Sequence, residues 1–523
     1  MNKKLSGIIL SLLPVLLTGL FPLIALWKNN LGQIRAAVVF APLLYTVVFI
    51  LIVFSLWLLV FRSLEKSSLM SLATFLLVFS FGHVYNLISQ VQVFVKHIGF
   101  IKLFGLYMLL FIIFLVVVIK IKKLPGSLFL FLNLFSGTLV LINLIPIISY
   151  SIQIDRTQAR TKALPITQSE QVSNRPDIYY IVLDAYARQD ILKDVIGYDN
   201  SSFIKALKQR GFYIPDCAFS NYDETLLTLT SVLNLNYLDQ LDVPQEDLEN
   251  YIASKVNLIL DNQVAKTFRD LGYQFVTGRG YSSFNDIERS DIYLNFLKDQ
   301  GQKDNLDQEK FASLYLNTTV VRVITELYKN NPGVFSKLPY WLALNRESDP
   351  YLKEASFWYY QNNYMFDSLE KIPEMQGDYF VYAHINAPHG PYVFRSDGSF
   401  RYPLDTTDNK VLYADTLTYL NKRVLKVVEA LQQKSTVPPI IILQADHGIH
   451  VLTTGLDKHK ILSAYYLPGH LNTPPYSTIS PVNDFRLILK NYFDPSVELL
   501  PDTLWVKFKN DHEPVTSSCD LNN

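Results

Sequence analysis

Five long apolar runs crowd the first 151 residues, and they constrain the fold more than anything else in the chain. They cover about 8–27, 36–61, 69–91, 103–119 and 128–152. Each is long enough to cross roughly 30 Å of hydrocarbon as a helix. A helix satisfies its own backbone polar groups there, which an isolated strand does not. The sequence therefore predicts an α-helical membrane domain of five spans. The first run follows Met1-Asn2-Lys3-Lys4 like a secretion signal. It is too long for one, and Pro22 and Trp27 stand where small cleavage-site residues belong.

Basic residues give the orientation. With the N-terminus inside, the inner flanks hold Lys3, Lys4, Arg62, Lys66, Lys120, Lys122 and Lys123. The outer short loops hold Lys28, Arg35, Lys96 and Lys102. Seven against four favours that orientation. Five spans then place everything after residue 152 outside the cytoplasm, on a multi-pass cell-membrane protein. His83 and Asn86 lie in the third span, facing other helices or a lipid head group. The formal net charge is zero, so nothing points to a nucleic-acid partner. Cys217 and Cys519 allow one disulfide at most, which excludes a disulfide scaffold.

The division that follows is a transmembrane domain at 1–152, a polar linker at 153–175, a soluble domain at 176–505 and a tail at 506–523. In the soluble domain, strand-like and helix-like segments alternate, which predicts an α/β fold with a mostly parallel central sheet. Three of its strands end on polar side chains. Ile178-Tyr179-Tyr180-Ile181-Val182-Leu183 runs into Asp184. Tyr379-Phe380-Val381-Tyr382-Ala383 runs through His384 into Pro388-His389-Gly390-Pro391. Ile440-Ile441-Ile442-Leu443-Gln444-Ala445 runs into Asp446-His447-Gly448, where the glycine is expected to turn the backbone sharply. In open α/β sheets, ligands bind just beyond the carboxyl ends of strands. Thr225 stands where a helix begins, near free backbone N–H groups and the positive end of the helix dipole. Asp and Thr are also ordinary helix N-caps, and each position has that plainer reading.

The chain has nine histidines, and six fall between 384 and 470, mostly in loops after strands. Two carboxylates, several imidazoles and a hydroxyl near one sheet edge suit phosphoryl or sulfuryl transfer. A divalent metal ionises the hydroxyl and takes up charge on the transferred group. Histidines bind its oxygens or protonate the leaving oxygen.

In their order and spacing, Ile181-Val182-Leu183-Asp184, the Thr225 segment, Pro388-His389-Gly390-Pro391 and Ala445-Asp446-His447-Gly448 resemble the alkaline phosphatase/sulfatase superfamily. With five spans in front, the chain resembles its membrane-bound branch, the lipoteichoic acid synthases and lipid A phosphoethanolamine transferases. The resemblance implies that Asp184, Thr225, Asp446 and His447 are metal ligands and that Thr225 is also the nucleophile, becoming a covalent phospho-threonine. It implies that His389 binds the transferred group or a second metal. It gives His459 a similar role, although Lys458 and Lys460 flank it. His384 is either a further ligand or a support for the fold. Thr228 is the rival nucleophile.

The departures also count. Ala185 follows Asp184 where sulfatases carry a second aspartate, and Cys217 lacks the Pro and Arg needed for conversion to formylglycine. A true sulfatase mechanism is therefore not expected. Two cysteines do not supply the several disulfides of the phosphoethanolamine transferases.

Three functions stay open. One is a metal-dependent transferase moving a phosphoglycerol- or phosphoethanolamine-like group from a membrane lipid donor to an envelope glycan or lipid acceptor. The second is a phosphate or sulfate ester hydrolase. The third is a non-catalytic membrane protein with a degenerate enzyme domain, against which the intact Asp184, Thr225, Asp446 and His447 argue. The ligand set suits Mn, Zn or Mg, and does not exclude Ca. The sequence assigns no role to residues 280–350 and no oligomeric state.

Overall fold

The computed structural model describes residues 3–90, 99–158, 164–166, 175–241, 255–324, 327, 350–402, 406, 408–505 and 512–514. The chain divides into two compact units. One joins Met1–Ser151 to Asn305–Pro350, and the other joins Ile152–Asp304 to Tyr351–Asn523.

The first unit is helical: α1 (Lys3–Asn29), α2 (Phe40–Phe61), α3 (Leu64–Gln90), α4 (Phe100–Lys120) and α5 (Gly126–Gln158), the last running on past Ser151. Five stretches are long and apolar enough to cross a membrane: Ile8–Asn29, Ala36–Phe61, whose first four residues form a 3-10 turn ahead of α2, Leu64–Ile88, Phe100–Lys120 and Gly126–Ile152. Residue 91, the expected end of the third span, lies outside the described residues. Large apolar side chains such as Leu44, Leu59, Ile112 and Phe131 face outward, as lipid-facing residues do. Val15 and Leu23 of α1, Ile50 and Phe54 of α2 and Phe75 and Phe79 of α3 form a shared core. Small polar groups bond across it, since no water competes there. Ser68 Oγ donates to the Ser11 carbonyl at 2.6 Å, and Trp57 Nε1 donates to Thr74 Oγ1 at 3.0 Å.

This unit also holds the helix Leu306–Asn317, part of the 280–350 stretch that has no role assigned from sequence. Its Phe311 and Tyr315 join the same core, and the Tyr315 hydroxyl lies 3.1 Å from Thr46 Oγ1. The chain then lies against α3. Gly82 N–H donates to the Thr318 carbonyl at 3.1 Å, and Val320 N–H donates to the Val78 carbonyl at 2.7 Å. Gly82 N–H and Val78 C=O are the two groups a regular helix would pair with each other. A Cβ at residue 82 would sit 2.4 Å from the Asn317 carbonyl oxygen, so only glycine admits this approach. One turn on, Arg322 donates to Asn86 Oδ1 at 2.5 Å and stacks 4.7 Å over the Tyr85 ring.

The second unit is built on a six-stranded sheet. Its strands are β1 (Ile178–Leu183), β2 (Gln274–Gly278), β3 (Ile292–Leu294), β4 (Tyr379–Ile385), β5 (Ile440–Gln444) and β6 (Ser463–Tyr466). The order is β3-β2-β4-β1-β5-β6, parallel throughout except for β6, which runs antiparallel to β5. Every residue of β1, β4 and β5 is buried, as expected of strands covered on both faces. Phe268, Phe380, Tyr180 and Phe485 pack against one face, with Phe268 and Phe380 4.8 Å apart. Val182 lies opposite both His384 and Gln444. The three central strands therefore end at one level, and the residues after them emerge together. A small antiparallel pair, Thr503–Trp505 with His512–Pro514, follows the sheet.

Candidate metal centre and active site

Asp184 and Asp446 leave the sheet side by side from the ends of β1 and β5. The turn after Asp184 is strained: Ala185 adopts a positive φ of 61°, which costs a residue with a Cβ about 1 kcal/mol. That turn aims Ala185 N–H at Asp446 Oδ1, 3.2 Å away, and His447 N–H reaches the same oxygen at 3.0 Å. Gly448 serves differently from the sequence expectation. It does not adopt a positive φ; it lets Lys458 come close. Its N–H donates to the Lys458 carbonyl at 2.6 Å, and a Cβ there would sit 2.8 Å from that oxygen.

The imidazoles can be assigned from their hydrogen bonds. His447 Nδ1 faces the Gly448 carbonyl at 2.8 Å, so it carries the proton. Its Nε2 then presents a lone pair, 3.5 Å from Asp184 Oδ1 and 3.6 Å from Asp446 Oδ2. Both of those carboxylate oxygens are buried and have no hydrogen-bond partner. Three electron-rich atoms facing one another in a buried pocket repel unless a cation or a proton lies among them. The donor set, two oxygens and one imidazole nitrogen, suits a divalent metal. Asp184, His384 and Asp446 also bring ligand atoms within 4.8 Å of one another. His384, however, uses both nitrogens within the protein. Nε2 lies 3.2 Å from Asp184 Oδ2, and Nδ1 lies 3.1 Å from the Tyr382 hydroxyl. It orients Asp184 as the partner of a metal-binding carboxylate does.

Charge follows this geometry. Burial pushes the Asp184 carboxyl up, but His389, His384 and His447 outweigh it and hold the group well below the usual carboxylate range. Burial pushes His447 down, and the charges of Asp446 and Asp184 more than reverse it.

Thr225 is the first residue of the helix Thr225–Leu233, and the N-cap position belongs to Glu224. The Thr225 hydroxyl is thus not consumed as a cap. Its side chain acts on the hydroxyl of Tyr281, a residue that also feels the charges of Asp184 and Asp446. Thr228, the rival, is fully buried and donates to the Tyr222 carbonyl at 3.1 Å.

His389 is exposed beyond β4, its backbone N–H donating to the Asp184 carbonyl at 3.0 Å. Its Nδ1 faces the Gly390 carbonyl at 2.7 Å, which leaves Nε2 for a substrate. Its ring stands edge-on to His447 with centroids 6.1 Å apart. His459 is buried, with Nδ1 3.1 Å from the Ser220 carbonyl, and burial lowers its pKa. Lys460 is held by Asp457 at 2.7 Å and by Asp190 at 3.7 Å.

Two residues were missed from sequence. His450 stacks on His447 at 4.4 Å, and burial, then the charge of His447, bring its pKa down to about 4. Tyr281 follows β2 in Gly278-Arg279-Gly280-Tyr281. The rule that drew attention to Asp184 and Asp446, polar residues just past a strand, applies to it equally.

Residues 176–474, more than half of the chain, match the model of the Sulfatase family. The chain belongs to the sulfatase family. Its second unit is an enzyme domain of the alkaline phosphatase/sulfatase superfamily. Cys217 is buried and disulfide-bonded. No curated protein matches. Among solved structures, the zinc complex of the C-terminal periplasmic domain of EptC from Escherichia coli is similar, at 9% identity. It has a TM-score of 0.41, covering 68% of this chain and 97% of that one. The soluble domain of lipooligosaccharide phosphoethanolamine transferase A from Neisseria meningitidis shows 11% identity and a TM-score of 0.38, covering 63% and 91%. The lipoteichoic acid synthase LtaP from Listeria monocytogenes shows 10% identity and a TM-score of 0.36, covering 64% and 76%.

Proposed function

We propose that this sulfatase-family protein is a metal-dependent, membrane-anchored phosphotransferase whose catalytic unit lies outside the cytoplasm. In this reading it moves a phosphoglycerol- or phosphoethanolamine-like group from a lipid donor to an envelope glycan or lipid through a covalent threonine. The observation that carries it is the pair of buried, unpartnered oxygens on Asp184 and Asp446, facing His447 Nε2. Asp184, Asp446, His447 and Thr225 would hold the metal, which when bound supplies Lewis acidity and lowers the pKa of a bound hydroxyl.

The chain's own residues do the rest. Thr225 Oγ passes its proton to His389 Nε2 and attacks phosphorus, the bond to the donor's leaving oxygen breaks, and that oxygen takes the proton from His389 Nε2. The free backbone N–H groups at the start of the Thr225 helix face developing negative charge. An acceptor hydroxyl then attacks the phospho-threonine, gives its proton to His389 and frees Thr225. A five-helix anchor favours a transferase over a hydrolase, since donor and acceptor can both be held at the membrane.

The test is peptide mass spectrometry of the full chain in detergent, incubated with Mn or Zn and a bacterial lipid extract, beside Thr225→Ala. A metal-dependent adduct on Thr225, absent from the variant, is expected, and its mass names the transferred group. An adduct on Thr228, or bound metal with no adduct under any lipid mixture, would sink this mechanism.

A further inference from the structure

Tyr281 is the residue on which the most contacts of this site converge. Its hydroxyl faces the side chains of Thr225 and Ser282, both of which favour its ionised form. One face of its ring stacks on His389, with centroids 6.3 Å apart and planes at 26°. The His384 ring lies 6.4 Å away, and Phe284 and Trp358 meet the ring edge-to-face at 5.8 and 6.5 Å. One side chain thus touches the proposed nucleophile and both histidines of the β4 end.

The loop that carries it is fixed from below. Arg279, nearly inaccessible, pairs with Asp286 at 2.9 Å and with Asp304 at 2.8 Å. Gly280 N–H donates to Asp286 Oδ1 at 3.1 Å, and Tyr293 donates to the same oxygen at 2.6 Å. A Cβ at residue 280 would sit 2.4 Å from the Asn285 carbonyl oxygen, so the turn closes only around glycine. A buried ion pair with several hydrogen bonds does little for net stability, but it does hold geometry. Packing alone would not require this mount, because a phenylalanine would fill the same space among Phe284 and Trp358.

We infer that Tyr281 is a catalytic residue of this domain: its hydroxyl holds Thr225 Oγ for attack and hydrogen-bonds the same oxygen as it leaves phosphorus, while its ring sets the plane of His389. The inference rests on Thr225 being the nucleophile. In the second half-reaction the acceptor oxygen bonds to phosphorus. The P–Oγ bond breaks, and its electron pair stays on Oγ. The acceptor's proton goes to His389, from which Oγ is reprotonated before the next cycle. Tyr281 keeps its own proton throughout and acts only as a hydrogen-bond donor. A fixed donor aimed at developing charge contributes about 10²-fold or more to rate.

The experiment uses the full chain in detergent with Mn and bis(4-nitrophenyl) phosphate, a chromogenic phosphodiester. Nitrophenolate release reports formation of the Thr225 adduct, and intact mass reports its decay. Tyr281→Phe is expected to slow adduct decay about 10²-fold, with Mn affinity and thermal midpoint unchanged. Tyr281→Leu, which also removes the stack on His389, is expected to slow adduct formation further. Equal formation and decay rates in Tyr281→Phe and the parent overturn the role of the hydroxyl while leaving Thr225 as nucleophile. A normal Phe variant beside an impaired Leu variant reduces Tyr281 to packing, which also overturns it. No adduct on Thr225 in the parent chain overturns the nucleophile reading and this inference with it.

Discussion

Two places in this chain bring backbone or side-chain polar groups to partners outside their own element, and they do so in opposite ways. At Gly82 in α3, an N–H and a C=O of the helix each meet a partner from outside the helix. The chain brings Thr318 and Val320 to meet both of them. At the ends of β1 and β5, one oxygen each of Asp184 and Asp446 is left without any partner. An unpaired buried polar group costs about 1–3 kcal/mol, more when charged. A protein satisfies such groups with its own atoms where stability is all that matters. It leaves them open where a ligand is to supply the bond.

The largest expected effect tests the open side of this comparison. Thr225→Ala should form no covalent adduct and lose at least about 10³-fold in turnover of a phosphodiester, the scale seen when a nucleophile is removed. Metal affinity should fall far less, because Asp184, Asp446 and His447 remain. Turnover within tenfold of the parent would remove Thr225 from the chemistry.

Gly82→Leu tests the closed side. The new side chain would drive Asn317 and Thr318 off α3. The expected loss is about 1–3 kcal/mol from overpacking, plus about 1 kcal/mol for each of two hydrogen bonds. The measurement is resistance of the full chain to unfolding in mixed detergent, with proteolysis after residue 310 as a second readout. An unchanged cleavage rate would mean that Thr318–Val320 does not depend on the approach at Gly82.

Much of the second unit was legible because its signals are local. A strand that ends on Asp184 or Asp446 announces both its sheet position and its chemistry, and parallel register then brings such ends together without further information. The helix Asp484–Tyr492 is local in the same sense, since Asp484 lies in its first turn and its apolar residues Phe485, Leu487, Ile488 and Leu489 are buried. The docking of Leu306–Asn317 into the first unit was not legible. Phe311 and Tyr315 look like any amphipathic face, and nothing in the sequence says that their partners are Val15 and Phe79. Gly82 reads as an ordinary small residue in a membrane helix until its neighbour is known. Tyr281 was passed over because tyrosine is common in this chain, with 32 of them, so its type carries no signal. Only its place after β2 does.

His384→Gln sharpens the boundary between a ligand and its support. If His384 orients Asp184, Mn or Zn affinity should fall about 10–100-fold, and turnover at saturating metal should recover. Loss of all measurable binding would make it a ligand in its own right. Isothermal titration on the full chain separates the two outcomes without reference to substrate.

The smallest effect comes from a third way of resolving the same problem. Asp484 Oδ2 is buried and unpartnered, as Asp184 Oδ1 and Asp446 Oδ2 are. Its other oxygen accepts from Tyr465 at 2.6 Å and from Gln444 at 3.3 Å. No histidine faces it, and burial raises its pKa far above the usual carboxylate range. Here a proton, rather than a metal or a docked segment, completes the open oxygen. A carboxyl whose folded pKa is raised contributes stability fully below its unfolded pKa, near 4, and loses it as pH climbs toward the folded value. Asp484→Asn keeps an acceptor for Tyr465 and does not titrate. The variant's thermal midpoint relative to the parent should therefore rise steadily from pH 4 upward, by a few degrees for each kcal/mol. Parallel curves for the two proteins across that range would mean that Asp484 stays ionised when folded. The open oxygen would then need a cation, and Asp484 would belong with Asp184 and Asp446 after all.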